Sequence, residues 1–264
     1  MRALALLALL VVTPPAQALS DLETGDTAWA QRAEGQTDGK PVAGPTDEAV
    51  DAYERASHTD PPSLEAHWKL LRALWFASEF VHDTPAVRRA LLERSRPIAD
   101  RALAQVAAAE GPQAARVYFW SALTLAAWSR DAGLLAAVRA GVANRLHAYA
   151  LKSIELDPTV DGGGALRLLS RLHAELPRVP LLSGWVDRAE ALPLAERAYA
   201  TDREHLGNAY VLGLALLDRG PERRAEALRL IGDAGNHAPR PAELIEDLAV
   251  RRDARERLAR EQTR

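Results

Sequence analysis

The chain has 264 residues, 48% hydrophobic and only 5% aromatic, with a net charge of −3 and a pI near 6.2. That balance supports a buried core and gives no overall attraction for nucleic acid. The chain contains no cysteine, which excludes disulfides, thiolate metal sites, cysteine nucleophiles and a lipid-modified N-terminal cysteine.

Residues 1–18 read as a cleavable secretory signal peptide. Arg2 supplies a positive start, Ala3 to Val12 is an unbroken apolar run, and Ala16-Gln17-Ala18 is a small-x-small cleavage site. Ten apolar residues are too few to span a bilayer core. Cleavage after Ala18 removes Arg2 and takes the net charge from −3 to −4. The expectation is an exported, periplasmic protein without a stable membrane anchor.

Residues 19–45 mix Gly, Asp, Thr and Pro and are expected to wrap loosely, anchored by Trp29, with a loop from Gly35 to Pro45. Thr46-Asp47 offers an N-cap for a helix through Ser57, and Asp60-Pro61-Pro62 stops it. Helical spacing of apolar residues then predicts helices over 63–82, 85–109, 112–130 and 134–156, with Pro97 expected to kink or divide the second. Breaks fall at Asp83-Thr84-Pro85, Gly111-Pro112 and Asp131-Ala132-Gly133, and Asp157-Pro158 closes the fourth helix.

One residue pattern recurs. Ala49, Tyr53, Ala56 and Pro61 are spaced as Ala227, Ile231, Ala234 and Pro239 are, which is the second-helix signature of a tetratricopeptide repeat of about 34 residues. Ala191, Ala195 and Ala198 precede Leu212-Gly213 at the spacing that lets paired helices approach closely. The closing positions 61, 158, 203 and 239 are unevenly spaced, and an insertion is placed at 174–187, around Pro177, Pro180 and Gly184. The predicted fold is all-α: about four to five irregular tetratricopeptide-like helical-hairpin units in a right-handed superhelix spanning 19–240. A charged capping helix over 241–264 closes it, its outer face toward water.

No nucleophile elbow, phosphate loop or zinc-binding His-Glu-x-x-His is present, so neither catalysis nor a cofactor is expected. The seven histidines show no metal-ligand spacing. Tyr118-Phe119-Trp120-Ser121 is the densest aromatic cluster and reads as core or as lining of a concave surface. Gly162-Gly163-Gly164 with Arg167 could cradle an anion, or form a tight turn with Arg167 bridged locally. The insertion carries Trp185 and Arg188, with His173 before it and His205 and Asn208 after the next helix. The candidate ligand- or partner-binding set is therefore Trp120, Gly163, Arg167, His173, Trp185, Arg188, His205 and Asn208.

Five segments carry a family resemblance: Tyr118 to Ala122, Leu156-Asp157-Pro158, Gly162 to Arg167, Ala195-Glu196-Arg197-Ala198, and Asn208-Ala209-Tyr210. Over roughly residues 60–220 the chain resembles the T-component of tripartite ATP-independent periplasmic (TRAP) transporters. The resemblance implies degenerate helical repeats, a periplasmic substrate-binding protein as partner, a homotrimer with a central pore, and a ligand cleft in each subunit. The alternative is a general tetratricopeptide scaffold for other envelope proteins.

Overall fold

The computed structural model describes residues 20–59, 63–106 and 111–263. The expected signal segment 1–18 and the repeat-closing Pro61 lie outside them. The described residues form twelve α-helices, with no β-strand beyond one isolated bridge, Thr37 to Lys40. The protein is all-helical, and its consecutive helices pack against one another.

The segment expected to wrap loosely opens with a helix, α1 (Asp21–Ala30). Ser20 caps it: the Ser20 hydroxyl accepts from the Glu23 amide at 3.3 Å, and the Glu23 carboxylate accepts from the Ser20 amide at 2.8 Å. Gly25 interrupts its propensity for a packing reason, since a Cβ there would lie 2.5 Å from the Tyr53 ring. Helix α2 (Ala43–Ser57) starts earlier than the expected cap. Thr46 is fully buried inside it, and Val42 takes the N-cap position without a side-chain bond. Pro45 is tolerated because a first-turn amide has no intrahelical partner to lose.

Helix α3 (Leu64–Phe76) is capped by Ser63 and runs on into a π-helical turn, Ala77–Val81. Helix α4 (Pro85–Val106) passes through Pro97 without dividing. Helix α5 (Pro112–Ala132) carries the aromatic cluster. The expected single helix over 134–156 is two, α6 (Leu134–Arg139) and α7 (Val142–Leu156), because Gly141 adopts a left-handed conformation (φ 61°) that ends one and begins the other. A 3₁₀ turn, Val160–Gly162, leads into α8 (Gly164–Glu175). After the irregular stretch 176–187 come α9 (Ala191–Thr201), α10 (Leu206–Leu217), α11 (Arg224–Asn236) and α12 (Leu244–Gln262).

The largest core cluster runs through α1 to α5 and α7 to α9, and a second one joins α9 to α12. Helices α10 and α11 approach closely at Gly213, where a Cβ would stand 2.6 Å from Ile231 Cγ1 and 3.0 Å from the Ala227 carbonyl oxygen. This is the close approach expected of the Leu212-Gly213 pair.

The C-terminal helix does more than face water. Ile245, at its start, is buried with Phe76 and Val81, and Trp29 packs against them. The Arg32 guanidinium, just beyond α1, donates to the Ala242 carbonyl and pairs with Glu243 and Glu246, each at 3.2 Å. The last helix is thus bound to the first. Two of its acids are buried and paired: Asp247 receives Arg240 at 2.8 Å, and Glu261 receives Arg224 at 2.6 Å and Arg257 at 3.1 Å. The expected solvated face is real but partial, since Arg252, Asp253, Glu256 and Arg260 stand exposed.

Candidate functional site

The eight candidate residues fall into four places. Trp120 lies in the core, 7% exposed, against Phe119 and Trp75 with ring centroids 5.0 and 5.6 Å away. Its cluster takes the core alternative.

Gly163, Arg167, His205 and Asn208 meet in one knot. Each glycine of the triple-glycine turn faces a different neighbour. A Cβ on Gly162 would lie 2.9 Å from the His205 ring, one on Gly163 3.3 Å from the Ala198 Cα, and one on Gly164 2.4 Å from the Phe119 ring. Gly162 and Gly163 also hold positive φ, 59° and 88°. Arg167 donates to the Gly162 carbonyl (3.0 Å), to Asn208 Oδ1 (2.9 Å) and to Asp161 Oδ2 (2.6 Å). Asn208 is fully buried and donates to the carbonyls of Gly162 and Asp202. The turn therefore takes its locally bridged form, with Arg167 held by protein acceptors rather than left open to an anion.

His205 caps α10, its Nδ1 accepting the Gly207 amide at 3.1 Å, which requires the neutral ring. Burial and the Arg167 and Arg240 cations push its pKa down to about 2. Burial also raises the Asp161 carboxyl and lowers the Arg167 guanidinium, each opposed by the other's charge.

His173 and Trp185 meet in the third place, an aromatic nest where the stretch 176–187 folds back on α7 and α8. The Trp185 indole stacks on His147, centroids 4.1 Å apart and 6° from parallel, and meets His173 edge-on at 5.3 Å. Trp185 Nε1 donates to Asn144 Oδ1 (3.0 Å), and His173 Nδ1 accepts the Asp187 amide (3.0 Å). Burial lowers both histidine pKa values, so the rings are neutral acceptors and stacking partners. The insertion beyond this anchor exposes Leu181 at 95%, together with Leu182 and Val179. Arg188, exposed at the start of the 3₁₀ turn before α9, stands outside the nest.

Three features were not singled out from sequence. One is a groove of ≈ 140 Å³ between α8, α10 and α12, floored by Val211 and Leu214 and edged by Arg171, Glu175, Asp218 and Arg257. The second is the role of His147 and Asn144 in the nest. The third is an alternation of guanidinium and indole groups across α1, α3 and α5. Arg32 lies 4.3 Å from the Trp29 centroid, and Arg72 lies 4.0 Å from Trp29 and 5.0 Å from Trp68. Arg116 lies 5.5 Å from Trp68. Trp68 and Arg72 are one helical turn apart and Trp29 and Arg32 three residues apart, so aromatic–arginine pairs at helical spacing were the available signal.

Among the described residues, no three His, Asp or Glu side chains converge as a metal site needs, and no helix is long and apolar enough to cross a membrane. No protein-family model matches the chain, and no curated protein matches it in sequence.

Proposed function

We propose that this is a non-enzymatic, exported helical-repeat protein that binds a periplasmic solute receptor as the accessory subunit of a TRAP-type uptake system. The observation that carries the reading is the groove between α8, α10 and α12. These are alternate helices, with α9 and α11 packed between them in sequence, as the first helices of stacked tetratricopeptide units line a concave face. Its apolar floor and mixed-charge edges suit a peptide segment or a protein loop.

Two further features support it. Four of the five segments that resemble the TRAP T-component, spread from Phe119 to Asn208, meet at the triple-glycine knot through Phe119, Gly162 to Arg167, Ala198 and Asn208. The imidazoles of His173 and His205 are committed as structural acceptors and that of His147 as a stacking partner, which suits a binding protein better than a catalyst. A trimer with ligand clefts belongs to the same reading.

The test is co-purification and titration with the substrate-binding protein encoded beside a TRAP permease. Binding that Leu214→Glu weakens at least tenfold, with unchanged circular dichroism, supports the reading. Capture of outer-membrane assembly factors in place of a receptor selects the general scaffold. A monomer that ignores both classes of partner overturns it.

A further inference from the structure

Arginines in this protein are mostly matched with acids. Arg32, Arg88, Arg94, Arg130, Arg145 and Arg167 each hold a carboxylate. Arg101, Arg139 and Arg188 hold none among the described residues, but they stand exposed, where water solvates the guanidinium. Arg72 and Arg116 differ from both groups. They are half-buried, and no Asp or Glu among the described residues forms an ion pair with either.

Their surroundings hold the cations in place without neutralising them. The Arg72 guanidinium lies against the Trp29 and Trp68 rings, at 4.0 and 5.0 Å, beside the Tyr53 hydroxyl. Its Nε is buried with no hydrogen-bond partner. The acids around it are engaged elsewhere: Asp26 with Lys69 at 2.8 Å, Asp161 with Arg167 at 2.6 Å, and Glu243 with Arg32 at 3.2 Å. Arg116 stands over the same Trp68 ring, whose indole nitrogen is fixed by Gln113. Two guanidinium groups thus lie within 5.5 Å of one ring centroid. Cation–π contact offsets only part of the cost of desolvating a charge, and a buried charge is ordinarily paired.

We infer that Arg72 and Arg116, held against Trp29 and Trp68, form a binding site for a small molecule bearing an oxyanion, a carboxylate or a phosphate group. Arg72 offers a guanidinium held in one orientation between two indole rings, and Arg116 adds a second charge at the same indole. The site lies on α1, α3 and α5, whereas the groove lies on α8, α10 and α12, so loss of receptor docking leaves this inference standing and the reverse also holds.

The experiment titrates the full mature protein with sodium phosphate and, separately, with sodium acetate. Sodium chloride holds ionic strength constant, so that general screening cancels. Arginine Nε–H resonances are followed by ¹H–¹⁵N spectroscopy and affinity by calorimetry. Saturable shifts of the Arg72 and Arg116 signals are expected, with affinity at least tenfold weaker in Arg72→Gln and in Arg116→Gln and unchanged in Arg139→Gln. Response to phosphate alone assigns the phosphate class, and response to acetate assigns the carboxylate class. Should Arg72→Gln fail to fold, Arg116→Gln decides. The inference is overturned if neither anion moves these resonances more than chloride does, or if binding survives undiminished in Arg116→Gln.

Discussion

Three glycines at two turns of this chain are required for different reasons, and alanine substitution separates them. Gly164 has an ordinary backbone conformation, but its missing Cβ leaves room for the Phe119 ring 2.4 Å away. Gly164→Ala is therefore an overpacking change, with an expected loss of about 1–3 kcal/mol by urea denaturation. Gly111 has φ 106° and no described residue within 4 Å of where a Cβ would stand, so Gly111→Ala is penalised through backbone conformation, by about 1 kcal/mol. Gly163 combines φ 88° with the Ala198 backbone 3.3 Å away, and its substitution is expected to be the most damaging of the three. The sequence made the triple glycine conspicuous. It could not say whether the space served an anion or the protein's own side chains, because the Phe119, Ala198 and His205 that fill it are distant along the chain.

His205 makes a second residue-scale prediction. Its folded pKa of about 2 lies far below the ordinary value near 6.5, so the unfolded chain binds the proton more readily. The stability it contributes is full above pH 6.5 and is lost as the pH falls below that value. His205→Asn keeps a side-chain acceptor at the N-cap and removes the titration. The fall in melting temperature between pH 7 and pH 5 is expected to be smaller in the variant than in the parent. An equal fall in both would show that His205 is not a source of acid sensitivity.

At the scale of elements, sequence patterns located most helices and misplaced their ends where packing overruled local preference. α1 was hidden by Gly25, Thr24 and Thr27, poor helix formers, although the Ser20–Glu23 capping box was present to be read. Thr46 looked like a cap, yet the helix starts one turn earlier and buries it. Pro97 was expected to kink or divide α4; the helix runs through it undivided, with Leu92, Ile98, Ala99 and Ala102 buried along one side. An irregular stretch was visible from Pro177, Pro180 and Gly184, and Trp185 was singled out there as a candidate binding residue, whereas the structure uses it as the anchor of the loop. What was not legible was the receiving surface, because His147 and Asn144 belong to another helix with no distinguishing pattern. Trp185→Ala removes the stack on His147 and the bond to Asn144. We expect protease cleavage within 176–187 to quicken severalfold while the melting temperature moves little, since the loop tip carries few buried contacts. A large loss of global stability would mean that the insertion supports the core.

At the scale of the molecule, the last helix is bound to the first, and the repeat pattern read from the sequence gave no hint of this. Repeat logic treats each unit as touching only its neighbours, so an end helix is expected to be a cap. Here Glu243 brings a titratable group to the junction of the two ends. Burial and the adjacent Glu246, with Asp161 beyond, raise its pKa to about 7 against the pull of Arg32. A carboxyl raised in this way holds its proton in the folded state longer than in the unfolded one. Its effect on stability therefore turns unfavourable as the pH rises from about 4.5 to about 7, the opposite sense to His205. Glu243→Gln should improve melting temperature relative to the parent more at pH 8 than at pH 5. A difference that does not depend on pH would place the titration elsewhere.

The closure itself makes the most discriminating prediction. Ile245 is 1% exposed among Phe76 and Val81, far from it in sequence, with Trp29 packed alongside. Replacing it with alanine should cost about 2–5 kcal/mol, the range for truncating a buried aliphatic side chain. The informative readout is where the loss is felt. In an open array, damage at the start of α12 would raise amide exchange in α11 and α12 and leave the first helices protected, because coupling decays along a chain of neighbours. In this protein, Arg32 and Trp29 depend on the same junction, so exchange in α1 and in the Ala77–Val81 turn should rise together with that of α12. Protection of α1 that is unchanged in Ile245→Ala would show the two ends to be energetically independent, whatever their contact.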